Sequence, residues 1–80
     1  MEKQENVGHI VQIFGPVIDV QFPNEHMPAI LSALEVKIND ESIIFEVAQH
    51  LGEGIVRAIA MSMTYNLSKG LEVYDTGSQI

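Results

Sequence analysis

EVAQHLGEGIVRAIAM, residues 46 to 61, holds two apolar runs separated by Gly52-Glu53-Gly54. A loop of that length and composition between apolar runs reads as a β-hairpin. Side chains alternate along a strand, so in the incoming run Ile43, Phe45, Val47 and Leu51 are expected on one face and Ser42, Glu46 and His50 on the other. The outgoing run, Ile55 to Met61, is apolar on both sides except at Arg57, with small residues at Ala58 and Ala60. A strand apolar on both faces is covered twice, inside a barrel wall or under a neighbouring subunit. Ile55, Val56, Arg57 and Ile59 are therefore the candidates for contact with a neighbour. An arginine in such a strand either snorkels to the barrel rim or pairs with an acid across an interface.

Outward from the hairpin, the pattern is strand after strand. Residues 1–6 are almost wholly polar and read as a disordered lead-in to a domain spanning residues 7–80. Val7 to Phe14 is rich in β-branched residues, and Gly8 within it implies a close backbone approach or a bulge. Gly15-Pro16 breaks that run. Val17 to Phe22 then alternates, with Ile18, Val20 and Phe22 on one face and Val17, Asp19 and Gln21 on the other. These first two strands are expected to pair.

Pro23 to Ala33 is the longest irregular piece, with one helical turn expected after Pro28. Leu34 to Asn39 alternates again, with Leu34, Val36 and Ile38 inward, and Asn39-Asp40-Glu41 is a turn. Ser62 to Gly70 reads as a loop in which Asn66 and Gly70 tolerate positive φ. Leu71 to Tyr74 is a short strand and Asp75 to Ser78 a turn, after which Gln79-Ile80 reads as the opening of a further strand. About six short strands with no long helix make a small all-β barrel, and closure removes the exposed edges of so small a sheet.

Composition narrows the function classes. Eighty residues form one small domain, which buries only about 60% of the surface exposed by its unfolded chain. A partner or a staple is then needed to make it comfortably stable. There is no cysteine, hence no disulfide and no thiolate metal site. His9, His26 and His50 are too far apart in sequence for a local metal motif. Eleven acids against four bases give a net charge of −7, and Lys3, Lys37, Arg57 and Lys69 are scattered singly. A nucleic-acid binder needs a basic stripe, so nucleic acid is not an expected partner. No apolar run approaches the roughly 20 residues of a membrane span, and the polar, acidic start has no signal-peptide core.

Catalytic constellations are not found. Gly52-x-Gly54 would open a dinucleotide fingerprint, but Arg57 stands where the third glycine belongs and a strand follows where a helix is required. A phosphate-binding loop, G-x-x-x-x-G-K followed by Ser or Thr, is missing; Lys69-Gly70 runs in the wrong order. Ala60-Met61-Ser62-Met63 resembles a biotin-attachment hairpin but lacks the lysine, and its methionines read as packing. Asp19 and Glu46 are expected at outward, solvated positions rather than as a catalytic pair. The serines have no nucleophile-elbow context.

GHIVQIFGPVIDVQF (Gly8 to Phe22), PAILSAL (Pro28 to Leu34), EVAQHLG (Glu46 to Gly52), VRAIAM (Val56 to Met61) and DTG (Asp75 to Gly77) occur in one order. Together they resemble the N-terminal domain of the catalytic beta subunits of F-type ATP synthases, over about Gly8 to Ile80. The resemblance implies a closed six-stranded β-barrel that docks beside the barrels of alpha subunits, forming a crown on an alternating hexamer. It places ATP or ADP, magnesium and the catalytic residues of proton-coupled rotary catalysis in a following domain, so no catalytic, cofactor or metal residue carries over to this chain. It implies a peripheral complex on the cytoplasmic face of a bacterial membrane, or on the matrix or stroma side of an organelle membrane. The loop Ser62 to Gly70 departs from the family pattern, which has an acid near its start, a glycine where Asn66 stands and an arginine where Lys69 stands. The remaining reading is a divergent paralogue of that subunit, or a stand-alone barrel that binds an oligonucleotide or small ligand.

Overall fold

Two-residue turns set the frame of the molecule. In the computed structural model, which describes residues 6–62 and 66–79, Glu53 and Gly54 have φ of 57° and 82° and join β4 (Glu41–Gly52) to β5 (Ile55–Ala60). Asn39 and Asp40, at 50° and 68°, join β3 (Ser32–Ile38) to β4 in the same way. Positive φ at both central residues is the type I′ pattern, whose twist matches that of the strands it connects. Gly15, with φ 58°, and Pro16 link β1 (Val7–Phe14) to β2 (Val17–Gln21). The last strand is β6 (Glu72–Gln79).

All pairings are antiparallel, in the order β1-β2-β5-β4-β3-β6, and β6 returns to β1 through Val7↔Tyr74, Gly8↔Val73 and His9↔Glu72. The sheet is thus a closed six-stranded barrel, as the strand pattern implies. Alternation aims one side of every strand inward: Ile10 from β1, Ile18 and Val20 from β2, Leu34 and Val36 from β3, Ile43, Phe45 and Val47 from β4, Val56 and Ala58 from β5, and Val73 from β6. Phe22, just past β2, completes this core. Gly8 leaves no room for a side chain against the end of β2. A Cβ there would lie 2.6 Å from the Gln21 carbonyl oxygen and 2.8 Å from Val20 Cγ1.

The structure corrects several expectations. Leu51 is exposed, not inward, because β4 carries bulges. Its register against β5 shifts between Val47 and Gln49 and again between His50 and Gly52, and each extra residue moves the alternation by one. The same shift turns His50 toward the side of inward Val56, its cross-strand partner.

The helical turn lies at Asn24–His26, directly after Pro23. After Pro28 the chain makes a β-turn instead, with Ser32 N donating to Ala29 O at 3.0 Å and Leu31 at φ 76°. The expected turn at Asp75–Ser78 is a kink inside β6. Between the pairs Leu34↔Asp75 and Ser32↔Gln79, β3 advances two residues and β6 four. Gly77 N donates to Asp75 Oδ1 at 2.9 Å, and Thr76 Oγ1 donates to Ala33 O at 2.7 Å, so the turn chemistry is used without ending the strand.

Asn6, assigned to the lead-in, is tied down: its side chain donates to His26 O and, at 3.3 Å, to Asp75 Oδ2. The rest of the lead-in (residues 1–5), residues 63–65 of the long loop, and Ile80 lie outside the described residues. Asn66 and Gly70 take positive φ, 62° and 92°, as their residue types allow.

Candidate functional site

The outer face of β1, β2 and β5 is where this barrel differs from a solvated sheet. The two-residue turn at Gly15-Pro16 sets Phe14 opposite Val17; Val17 pairs in turn with Ile59, and Ile59 with Glu46 on β4. One row therefore runs Phe14, Val17, Ile59, Glu46 across four strands. Phe14 is 52% exposed and Ile59 41%, and exposed Met61 adds to the same end, its N–H held by the Ile44 carbonyl at 2.9 Å.

The neighbouring row runs Gln12, Asp19, Arg57, Gln49. Here Arg57 Nε donates to Asp19 Oδ1 at 2.8 Å and Nη2 to Oδ2 at 3.0 Å. This is a two-pronged guanidinium–carboxylate pair, the geometry that suits arginine. The Phe14 ring lies 5.5 Å from the same guanidinium carbon, within cation–π range. The Asp19 hydrogen bond first, and its charge, raise the guanidinium above its ordinary pKa against a desolvation that lowers it.

Asp19 is the residue whose expected setting changes most. Its side chain does leave the sheet on the outer face, yet the residue is only 5% exposed, because Arg57 lies over it. Arg57 neither snorkels to the rim nor waits for an acid from a neighbouring chain; its acid is on the adjacent strand. Among the four interface candidates, Ile59 is exposed and Ile55 and Arg57 are half-buried on the outer face, whereas Val56 is fully buried inside the barrel. Position 56 has inward parity, so its apolar character serves the core. Exposed Phe14 and half-buried Val17, in the same row, and exposed Met61 beside it were not among the candidates. Writing the two-residue Gly15-Pro16 turn as a register would have found the first two, because such a turn makes Phe14 and Val17 direct partners.

Among the described residues no three or more His, Asp or Glu side chains are placed to hold a metal ion, and no glycine-rich loop opens a helix. A groove of about 380 Å³ lies under the β3–β4 turn, lined by Ile38, Asn39, Glu41 and Ser42 with Ser62 and Asn66; among the described residues lining it, Glu41 is the one ionisable side chain. Among the described residues the cations sit apart, Arg57 on Asp19 and Lys37 5.8 Å above the Tyr74 ring, and form no stripe.

A packed interior, a closed antiparallel wall and an apolar row on its outside define a small closed β-barrel domain. The family model described as ATP synthase alpha/beta family, beta-barrel domain, matches residues 10–77, from within β1 to within β6. The chain belongs to that family, whose members form part of ATP synthase and ATPase enzymes built from several subunits.

Proposed function

We propose that this barrel is the N-terminal assembly domain of a beta-type catalytic subunit, and that it docks barrel to barrel with alpha-type subunits in the crown of an alternating hexamer. Within the family, the beta reading is supported by the run EVAQHLG followed by VRAIAM, which here forms the two arms of the β4–β5 hairpin. The observation that carries the docking reading is the Phe14–Val17–Ile59 row, an apolar strip on the outside of a closed barrel beside an internally neutralised Asp19–Arg57 pair. Such a strip gains when covered, about 1.5–3 kcal/mol for each large side chain taken fully out of water. The neighbouring ion pair adds no uncompensated charge to the interface.

In this setting the barrel fixes the top of the ring while following domains, which bind ATP or ADP with magnesium, move through rotary catalysis coupled to proton translocation. The complex sits peripherally on the cytoplasmic face of a bacterial membrane, or on the matrix or stroma side in an organelle. Sedimentation velocity of this chain with the N-terminal barrel of an alpha-type subunit tests the reading. A faster-sedimenting heterocomplex is expected, and Ile59→Glu should weaken it. A chain that stays monomeric whatever the concentration of that barrel would overturn it.

A further inference from the structure

Met61 stands where the apolar row ends. Phe45 is opposite Ala60, and one residue further on Met61 N donates to Ile44 O at 2.9 Å, so the ladder between β4 and β5 carries on through Met61. Ala60 packs against the core, and by alternation Ile59 before it and Met61 after it leave the wall on the outer side together. Met61 is 46% exposed. Its backbone is held by a strand hydrogen bond while its side chain reaches water beside Ile59.

Sulfur is scarce elsewhere. The chain has no cysteine, so its four methionines carry all of it. Met1 and Met63 lie outside the described residues, and Met27 is half-buried against the core. Among the described residues Met61 is therefore the accessible sulfur, and access decides which thioether an oxidant reaches first.

We infer that Met61 is a site of reversible oxidation that controls docking at the Phe14–Val17–Ile59 row. The inference rests on the proposed docking and adds a control to it. The oxidant is a peroxide. A sulfur lone pair attacks one peroxide oxygen, and the S–O bond forms as the O–O bond breaks. The departing hydroxide takes the proton from the transferred oxygen and leaves as water, so sulfur loses the two electrons that the peroxide gains. Methionine sulfoxide is polar where the thioether was apolar. On the lone barrel the new dipole stays in water and costs the fold nothing. Beneath an apolar partner surface it loses its hydration, which should weaken docking about tenfold or more. Enzymatic reduction of the sulfoxide returns the apolar side chain. A partner already in place shields the sulfur, so the control acts on the chain before assembly.

The test treats the chain with hydrogen peroxide, maps the added oxygen by peptide mass, and titrates the product with an alpha-type barrel. Met61 should gain oxygen ahead of Met27, the melting temperature of the lone chain should stay within about 2 °C, and Kd should rise about tenfold or more. Met61→Leu keeps an apolar side chain of similar size, so it should bind as wild type does and keep its affinity after the same treatment. Met61→Gln should weaken binding with no oxidant present. An excess of the alpha-type barrel should slow oxidation of Met61 and leave that of Met27 unchanged. Full oxidation of Met61 with unchanged affinity would overturn the control and leave the proposed function standing, as would an equal loss of affinity in treated Met61→Leu. Oxidation of Met27 ahead of Met61 would also overturn it. An untreated chain that binds no alpha-type barrel would remove both.

Discussion

Asp19 is almost wholly covered, whereas the Arg57 side chain keeps more than a third of its surface in water. Replacing the arginine by alanine uncovers that carboxylate to water, and replacing the aspartate leaves a guanidinium that can turn toward water, so neither single change strands a buried charge. Arg57→Ala and Asp19→Ala are therefore each expected to lower the urea midpoint modestly, with m unchanged in both. Because the guanidinium's folded-state pKa is raised, its stabilisation is complete below the unfolded value and fades only as pH climbs through the folded one. Both lie in strongly alkaline solution. A double-mutant cycle on the pair should accordingly return the same coupling at pH 7 and pH 9. At Gly8 the clash of an added methyl would be with backbone, since the nearest atom is the Gln21 carbonyl oxygen at 2.6 Å. Backbone in a closed wall yields little. Gly8→Ala should cost about 1–3 kcal/mol in equilibrium unfolding.

At the scale of the element, local chemistry made most of the strands legible and closure hid the rest. The bounds of β1 were readable, because β-branched Val7, Ile10, Val11 and Ile13 recur up to the break at Gly15-Pro16. β2 and the β3–β4 and β4–β5 turns were readable from alternation and from Asn, Asp and Gly at the reversals. The bulges in β4 and β6 were not, since they arise where a strand is bent to meet both neighbours around a closed wall, and no single stretch records that demand. Asp75-Thr76-Gly77 carries turn residues that serve equally in a kinked strand. The candidate site was half legible for the same reason: apolarity on both faces of β5 picked out Ile55, Val56, Arg57 and Ile59 together, and apolarity alone does not say which side of the wall a residue fills, so buried Val56 stood beside outward Ile55, Arg57 and Ile59. The type I′ turn offers a local test. Asp40, at φ 68°, tolerates the left-handed region less well than glycine. Asp40→Gly should stabilise the hairpin by about 0.5 kcal/mol, net of the looser unfolded chain, and raise the melting temperature by a few degrees.

For the whole molecule, size and charge decide more than any one contact. A domain of eighty residues at −7 has a modest core and repels its own copies. Closure of the wall protects its edges but leaves apolar side chains outside, where they add nothing to the stability of the lone chain. That separation makes a linkage measurement decisive. A partner that binds only the folded barrel stabilises it by about 2.7 kcal/mol when present at a hundred times its dissociation constant. In a domain this small, each kcal/mol moves the melting temperature by about 4–8 °C. An alpha-type barrel at that concentration should therefore raise the melting temperature of this chain by about 10 °C or more. Ile59 lies on the outer row, outside the buried core, so Ile59→Glu should leave the melting temperature of the lone chain within about 2 °C while removing much of the partner-dependent rise. A variant that melts far lower on its own would show that Ile59 serves the barrel itself. An unchanged rise would show that the partner docks elsewhere.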